Sequence, residues 1–147
     1  MPLVSGFAPQ NAPSQVNLMF QIGRIVLVSL FVLGGVDKLL DPNPALAQMR
    51  DVGLPMAEIL IWPTIAVELG LGLLVAAGGW LAGGRFVAIA ALALIAHTAA
   101  VNVLFHDFWT MEGAQARLEL SLFFKNVAVA GALAMVAGLY LARRNGA

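Results

Sequence analysis

Four stretches of this chain, roughly residues 17–40, 56–79, 84–106 and 117–142, are each long and apolar enough to cross the hydrocarbon of a bilayer. A crossing takes about 20 residues of helix at about 1.5 Å each. Backbone amides and carbonyls find no partner in lipid, so a spanning segment must be a helix or a strand of a closed barrel. None of the four alternates apolar and polar residues as a barrel strand does. The sequence therefore predicts an all-α fold, an integral membrane four-helix bundle.

Composition agrees: 61 % of the 147 residues are hydrophobic and 11 % charged, against about 25 % charged in a soluble domain. Eight Lys and Arg balance eight Asp and Glu, so no charge excess points to nucleic acid. The absence of cysteine excludes Cys-ligated iron–sulfur clusters and covalent haem in this chain. Residues 1–16 carry three prolines and no Lys or Arg. They lack the organisation of a signal peptide and are expected to form a mobile polar tail, with the first span as an uncleaved insertion signal. Residues 143–147 make a second short tail.

The connections differ. "GGWLAGG", residues 78–84, predicts a tight turn that sets the second and third spans antiparallel. "DPNPALAQMRDVGLP", residues 41–55, has the start and stop signals of a short helix over 44–52. Leu46, Met49 and Val52 of that helix can lie on the membrane surface with Arg50 and Asp51 among the head groups; the alternative is a plain ordered loop. Arg143 and Arg144 directly follow the last span, and the excess of cations on the cytoplasmic side of membrane proteins places both termini in the cytoplasm.

A charge near the bilayer centre is disfavoured by about 2.5–3.5 kcal/mol on insertion scales, yet Arg24, Glu68 and Lys125 fall inside three spans and His97 and Asn102 inside the remaining one. At 100° per residue, Gln21, Arg24, Val28, Phe31, Gly35 and Lys38 share one stripe of the first span. Ile61, Thr64, Glu68, Gly72 and Val75 share one on the second, and Thr98, Asn102, His106 and Trp109 one on the third. Glu119 and Asn126 share a stripe on the fourth, with Lys125 turned 100° away. Each polar stripe should face the bundle interior. Counting depth from the span ends puts Glu68 about twelve residues in, His97 about nine and Lys125 about eight, so Lys125 is the expected ion-pair partner of Glu68, with Arg24 as a second candidate. Lys38 and Glu119, near span ends, can snorkel. Arg24, Lys38, Glu68 and Lys125 together form the expected interior network, which serves equally to fix helix register or to bind a proton, an ion or a quinone head group.

Metal and cofactor spacings are unfavourable. His97 and His106 lie nine residues apart on one predicted helix, hence on opposite faces, and do not suit a bis-His haem. No Glu-x-x-His pair or His-Glu-x-x-His motif occurs, and no flavin or nucleotide pattern is evident. A quinone head group needs only an apolar slot and a few polar groups, which Glu68, His106, Trp109, Lys125 and Asn126 can supply.

The fragments "FVLGGVDKLLDP", "VGLP", "VELGLGLLVAAG", "HDFW" and "FFKNVAVAGALA", in this order, resemble the DoxX family of small bacterial and archaeal membrane proteins. The resemblance implies a four-helix protein of the cytoplasmic (inner) membrane and carries over to Arg24, Gly35, Lys38, Glu68, His106, Phe108, Trp109, Lys125 and Asn126. It also implies an association with quinone-dependent oxidation, as a subunit that binds quinone or anchors a redox enzyme. Such a subunit need not be catalytic. The alternative is a structural or assembly subunit, or a homo-oligomer, whose small-residue faces "AVAGALAMVAG" and "GLGLLVAAGG" pack against other membrane helices.

Overall fold

The computed structural model describes residues 14–81 and 83–145. The chain forms α1 (Ser14–Leu40), α2 (Asn43–Asp51), α3 (Ala57–Leu81), α4 (Gly84–Phe105), a 3-10 turn (Phe108–Thr110) and α5 (Gly113–Asn145). Among the described residues, Leu18–Leu40, Ala57–Gly78, Gly84–Thr110 and Gly113–Ala142 are long and apolar enough to cross a membrane. Most of the expected polar tail, residues 1–13, lies outside the described residues. The second expected tail is largely the end of α5, which continues to Asn145.

The four long helices form an up-and-down bundle in which α1 packs on α3, α3 on α4 and α4 on α5, while α1 and α5 meet over a shorter stretch. The inward stripes hold except at Trp109, which is exposed: Arg24, Val28 and Phe31 of α1, Ile61, Glu68 and Val75 of α3, Thr98 and Asn102 of α4, and Asn126 of α5 are all buried. Small residues let α4 sit at the centre, where Ala88, Ala90, Ala91 and Leu94 are fully enclosed. Large apolar side chains such as Leu33, Trp62, Leu73, Val103 and Met135 point outward. This polar-in, apolar-out distribution matches lipid as the surrounding solvent.

Glycine sets the closeness of α1 and α3. A Cβ on Gly35 would lie 2.8 Å from Leu69 Cγ and 3.2 Å from Glu68 Cβ, and one on Gly72 would lie 2.9 Å from Val32 Cγ2. Gly35→Val is expected to destabilise the fold by about 1–3 kcal/mol through overpacking, read as a lower thermal midpoint in detergent. Gly70→Ala, with nothing within 4 Å of the new methyl, is the control expected to leave the midpoint unchanged or slightly raised.

These contacts also fix the stagger of the helices. Gly35 is level with Glu68 and Leu69, so α1 ends about five residues, or about 7.5 Å, above that level. α3 runs further, to Ala57. The projecting turns of α3 are covered by α2, whose buried Met49 joins Ala57, Ile61 and Ile65, with Leu46 and Leu54 packed alongside. The short helix thus turns Leu46 and Met49 onto α3 rather than onto the membrane surface, and of the three expected surface residues Val52 is exposed. Arg50 pairs with Glu58 across the same junction at 2.6 Å. α5 overshoots in turn: Asn126 bonds to Asn102, near the end of α4, so the first turns of α5 rise beyond α4 and carry the 3-10 turn against them.

Candidate functional site

The bundle encloses a cavity of about 250 Å³. Leu30, Phe31, Gly34 and Lys38 of α1 line one side, Lys125 and Asn126 of α5 the other, and Glu68, His97, Thr98 and Val101 the back, with His106 at the end of α4. The two exposed residues of this lining, Leu30 and Lys125, belong to α1 and α5, which meet over a shorter stretch than α1 with α3, α3 with α4 or α4 with α5. The exposed part of the lining therefore lies at the seam between those helices.

Its floor is an ion-pair cluster. Lys38 Nζ donates to both oxygens of Glu68, at 3.1 and 2.9 Å, and to the carbonyl of Gly34 at 3.3 Å. His97 Nε2 stands 3.4 Å from Glu68 Oε1. Both carboxylate oxygens are thus occupied by side chains from α1 and α4. Lys38, not Lys125, is the cation of Glu68, which corrects the expected pairing. Equal counting from the span ends leaves Lys38 too shallow, whereas the stagger of α1 against α3 lowers it to within reach of Glu68. Lys125 lies beside Asn126, level with the outer part of α4, and is exposed. It reaches the cavity only as lining.

Arg24 is also displaced from the expected network. Its guanidinium is buried at the opposite end of the bundle, where it donates to the Tyr140 hydroxyl and to Gln21 Oε1. The rings of Tyr140 and Phe20 lie 5.6 and 6.0 Å from it. No carboxylate pairs with it among the described residues. The expected network is therefore two separate groups, Lys38–Glu68–His97 and Arg24–Tyr140–Gln21.

The two histidines share the cavity rather than opposite helix faces. α4 ends at Phe105, and His106 takes φ −121° and ψ 43°, outside helical geometry, which swings its ring to the side where His97 already faces. His106 Nδ1 lies 2.8 Å from Glu119 Oε2, and Gln115 Nε2 donates to Glu119 Oε1 at 3.0 Å. Glu119 is a site residue that snorkelling argued away, and its place on one stripe with Asn126 was the available signal. Asn126 donates to Asn102 Oδ1 at 2.9 Å, and Asn102 donates to the carbonyl of Phe123 at 3.1 Å. Trp109 stays outside the lining. It packs edge-on against Phe108 and Phe123, with centroids 5.2 and 6.1 Å away, and braces the 3-10 turn on α5.

Fold and site define a class, the four-span helical membrane proteins with charged and polar side chains lining a cavity between the spans. The DoxX family model matches residues 19–107, and the chain belongs to that family. The match covers α1 to α4 and ends before α5. A relative, inner membrane protein YphA of Escherichia coli (strain K12), is 28 % identical over 120 residues, which is 82 % of this chain and 81 % of YphA. No solved structure matches the chain.

Proposed function

We propose that this protein is an inner-membrane subunit that holds the head group of a membrane quinone in the cavity between α1 and α5, beside a redox partner in the same membrane. The observation that carries this reading is a cavity lined by charged and polar side chains among apolar ones, in a bundle whose outer surface is apolar. Its roughly 250 Å³ is below the roughly 300–1,000 Å³ that encloses a drug-sized ligand. A single substituted ring fits inside, while an isoprenoid chain stays in the seam and the bilayer. Lys125 lies at the exposed edge, with Asn126 buried beside it and His106 at the end of α4, as donors or acceptors for ring oxygens. Glu68, with both oxygens engaged, positions Lys38 and His97 and does not itself receive the ring.

The relative's place in the inner membrane supports the same membrane for this chain. For orientation, residues 1–36, 69–106 and 120–147 contain no Asp or Glu, while Arg24, Arg85, Arg143 and Arg144 fall within them. A terminal end with cations and no carboxylates suits the anionic cytoplasmic leaflet.

The test is calorimetric titration of a short-tailed quinone into the detergent-solubilised protein. Saturable binding is expected, and Val101→Phe, which fills the cavity from α4 without touching its charges, should weaken it at least about tenfold, or about 1.4 kcal/mol. Equal binding by both proteins would place the quinone elsewhere. The second reading, a packing subunit, is favoured by the mutual satisfaction of Lys38, Glu68 and His97. It is supported if a native complex retains both its composition and its activity with Val101→Phe.

A further inference from the structure

His106 and Glu119 form a carboxylate–imidazole dyad of a kind that elsewhere prepares a proton acceptor. An ionised carboxylate can only accept, so with Glu119 ionised the 2.8 Å contact between its Oε2 and His106 Nδ1 requires the proton on Nδ1. In the neutral ring this leaves a lone pair on Nε2. Nε2 has no protein partner among the described residues, and His106 lines the cavity. Gln115, by donating to Glu119 Oε1, holds the carboxylate in place, and the non-helical backbone at His106 turns the ring toward the lining. Lys125, which also lines the cavity from α5, has no hydrogen bond or ion pair among the described residues.

The other charged groups around the cavity are already engaged. Lys38 of α1 and His97 of α4 are spent on Glu68 of α3, and Asp107, next to His106, accepts from Thr110 through Oδ2 at 2.7 Å. His106 and Lys125 are thus the two lining residues that combine an imidazole nitrogen and an ammonium without a partner among the described residues. A dicarbonyl ring offers only acceptors and leaves Nε2 without a donor. A ring bearing a hydroxyl satisfies both groups.

We propose that the cavity takes the hydroxyl-bearing, reduced form of its ligand, a hydroquinone or phenol, and that His106 Nε2 accepts the hydroxyl proton while Lys125 faces the resulting oxyanion. This rests on the cavity being the head-group site. The ligand O–H bond breaks, an N–H bond forms on Nε2, and the negative charge stays on the ligand oxygen beside the Lys125 ammonium. No electrons move in this step. Glu119 acts through His106 and is a positioning residue.

The experiment uses the full-length protein in detergent and a nitrophenol with a short alkyl tail as probe, because its phenolate absorbs in the visible. Binding and ionisation are then read separately. Wild type should bind the probe and lower its apparent pKa by at least about one unit, tenfold in the ionisation constant. His106→Gln and Lys125→Gln should still bind it but leave it largely protonated. Glu119→Gln, whose amide oxygen can still accept from Nδ1, should retain binding with a smaller shift. A probe that binds wild type yet stays protonated overturns this inference and leaves the head-group site intact. A shift that persists in His106→Gln overturns the role of the dyad. If neither the probe nor the quinone binds, the head-group site itself fails.

Discussion

Glu68→Leu is expected to destabilise the bundle more than any other single change at the site, by about 3–5 kcal/mol, the range for breaking a buried ion pair. The carboxylate is buried, and its loss leaves the Lys38 ammonium and the His97 ring facing each other without an acceptor between them. Lys38 keeps a quarter of its side chain exposed, which favours the lower part of that range. Replacing both partners, Lys38→Met with Glu68→Leu, should recover most of the loss, because two apolar side chains leave no charge to desolvate. Thermal unfolding in detergent of both single variants and the double variant gives the coupling directly. A Glu68→Leu protein as stable as wild type would mean that the pair contributes nothing, and that water already screens the cavity floor.

Tyr140→Phe is the second large effect, and it acts at the other end of the molecule. Arg24 is 1 % exposed, its Nε has no partner among the described residues, and a terminal nitrogen donates to the Tyr140 hydroxyl. Removing that hydroxyl adds another unsatisfied donor to a buried cation, a loss of about 1.5–3 kcal/mol for a hydrogen bond to a charged group. The phenyl ring remains against the guanidinium, so the variant separates the hydrogen bond from the cation–π contact. Phe20→Leu removes the other ring and should destabilise by about 0.5–2 kcal/mol. Both are read as shifts in the thermal midpoint. No shift in Tyr140→Phe would show that water takes over the hydroxyl's role. Quinone binding should survive in both variants, since Arg24 does not line the cavity.

Which face of each helix turns inward was legible in the sequence, because a buried polar residue must sit on the interior stripe whatever the details of packing. Arg24, Glu68, Thr98, Asn102 and Asn126 all follow that rule. Lys125 stands off the stripe of α5, and the structure exposes it. Pairing across helices was not legible, because hydrophobic length does not fix the vertical offset between neighbouring spans. That offset comes from Gly35 and Gly72 seating α1 against α3, and from α2 covering the projecting end of α3. It moves Lys38 to Glu68 and Lys125 toward the outer edge. His106 lines the cavity as its stripe predicts; only its separation from His97 differs, because helical geometry stops at Phe105.

The claim on which the functional reading depends is that a ring from the lipid phase enters the bundle between α1 and α5. Photo-crosslinking with a short-tailed quinone carrying a photoreactive group on its ring tests this most directly. Adducts are expected on α1 between Leu30 and Lys38 and on α5 at Lys125 and Asn126, suppressed by excess unlabelled quinone and by Val101→Phe. Adducts spread over the outward-facing apolar surface, at residues such as Leu73, Val103 and Met135, and indifferent to competitor, would contradict it.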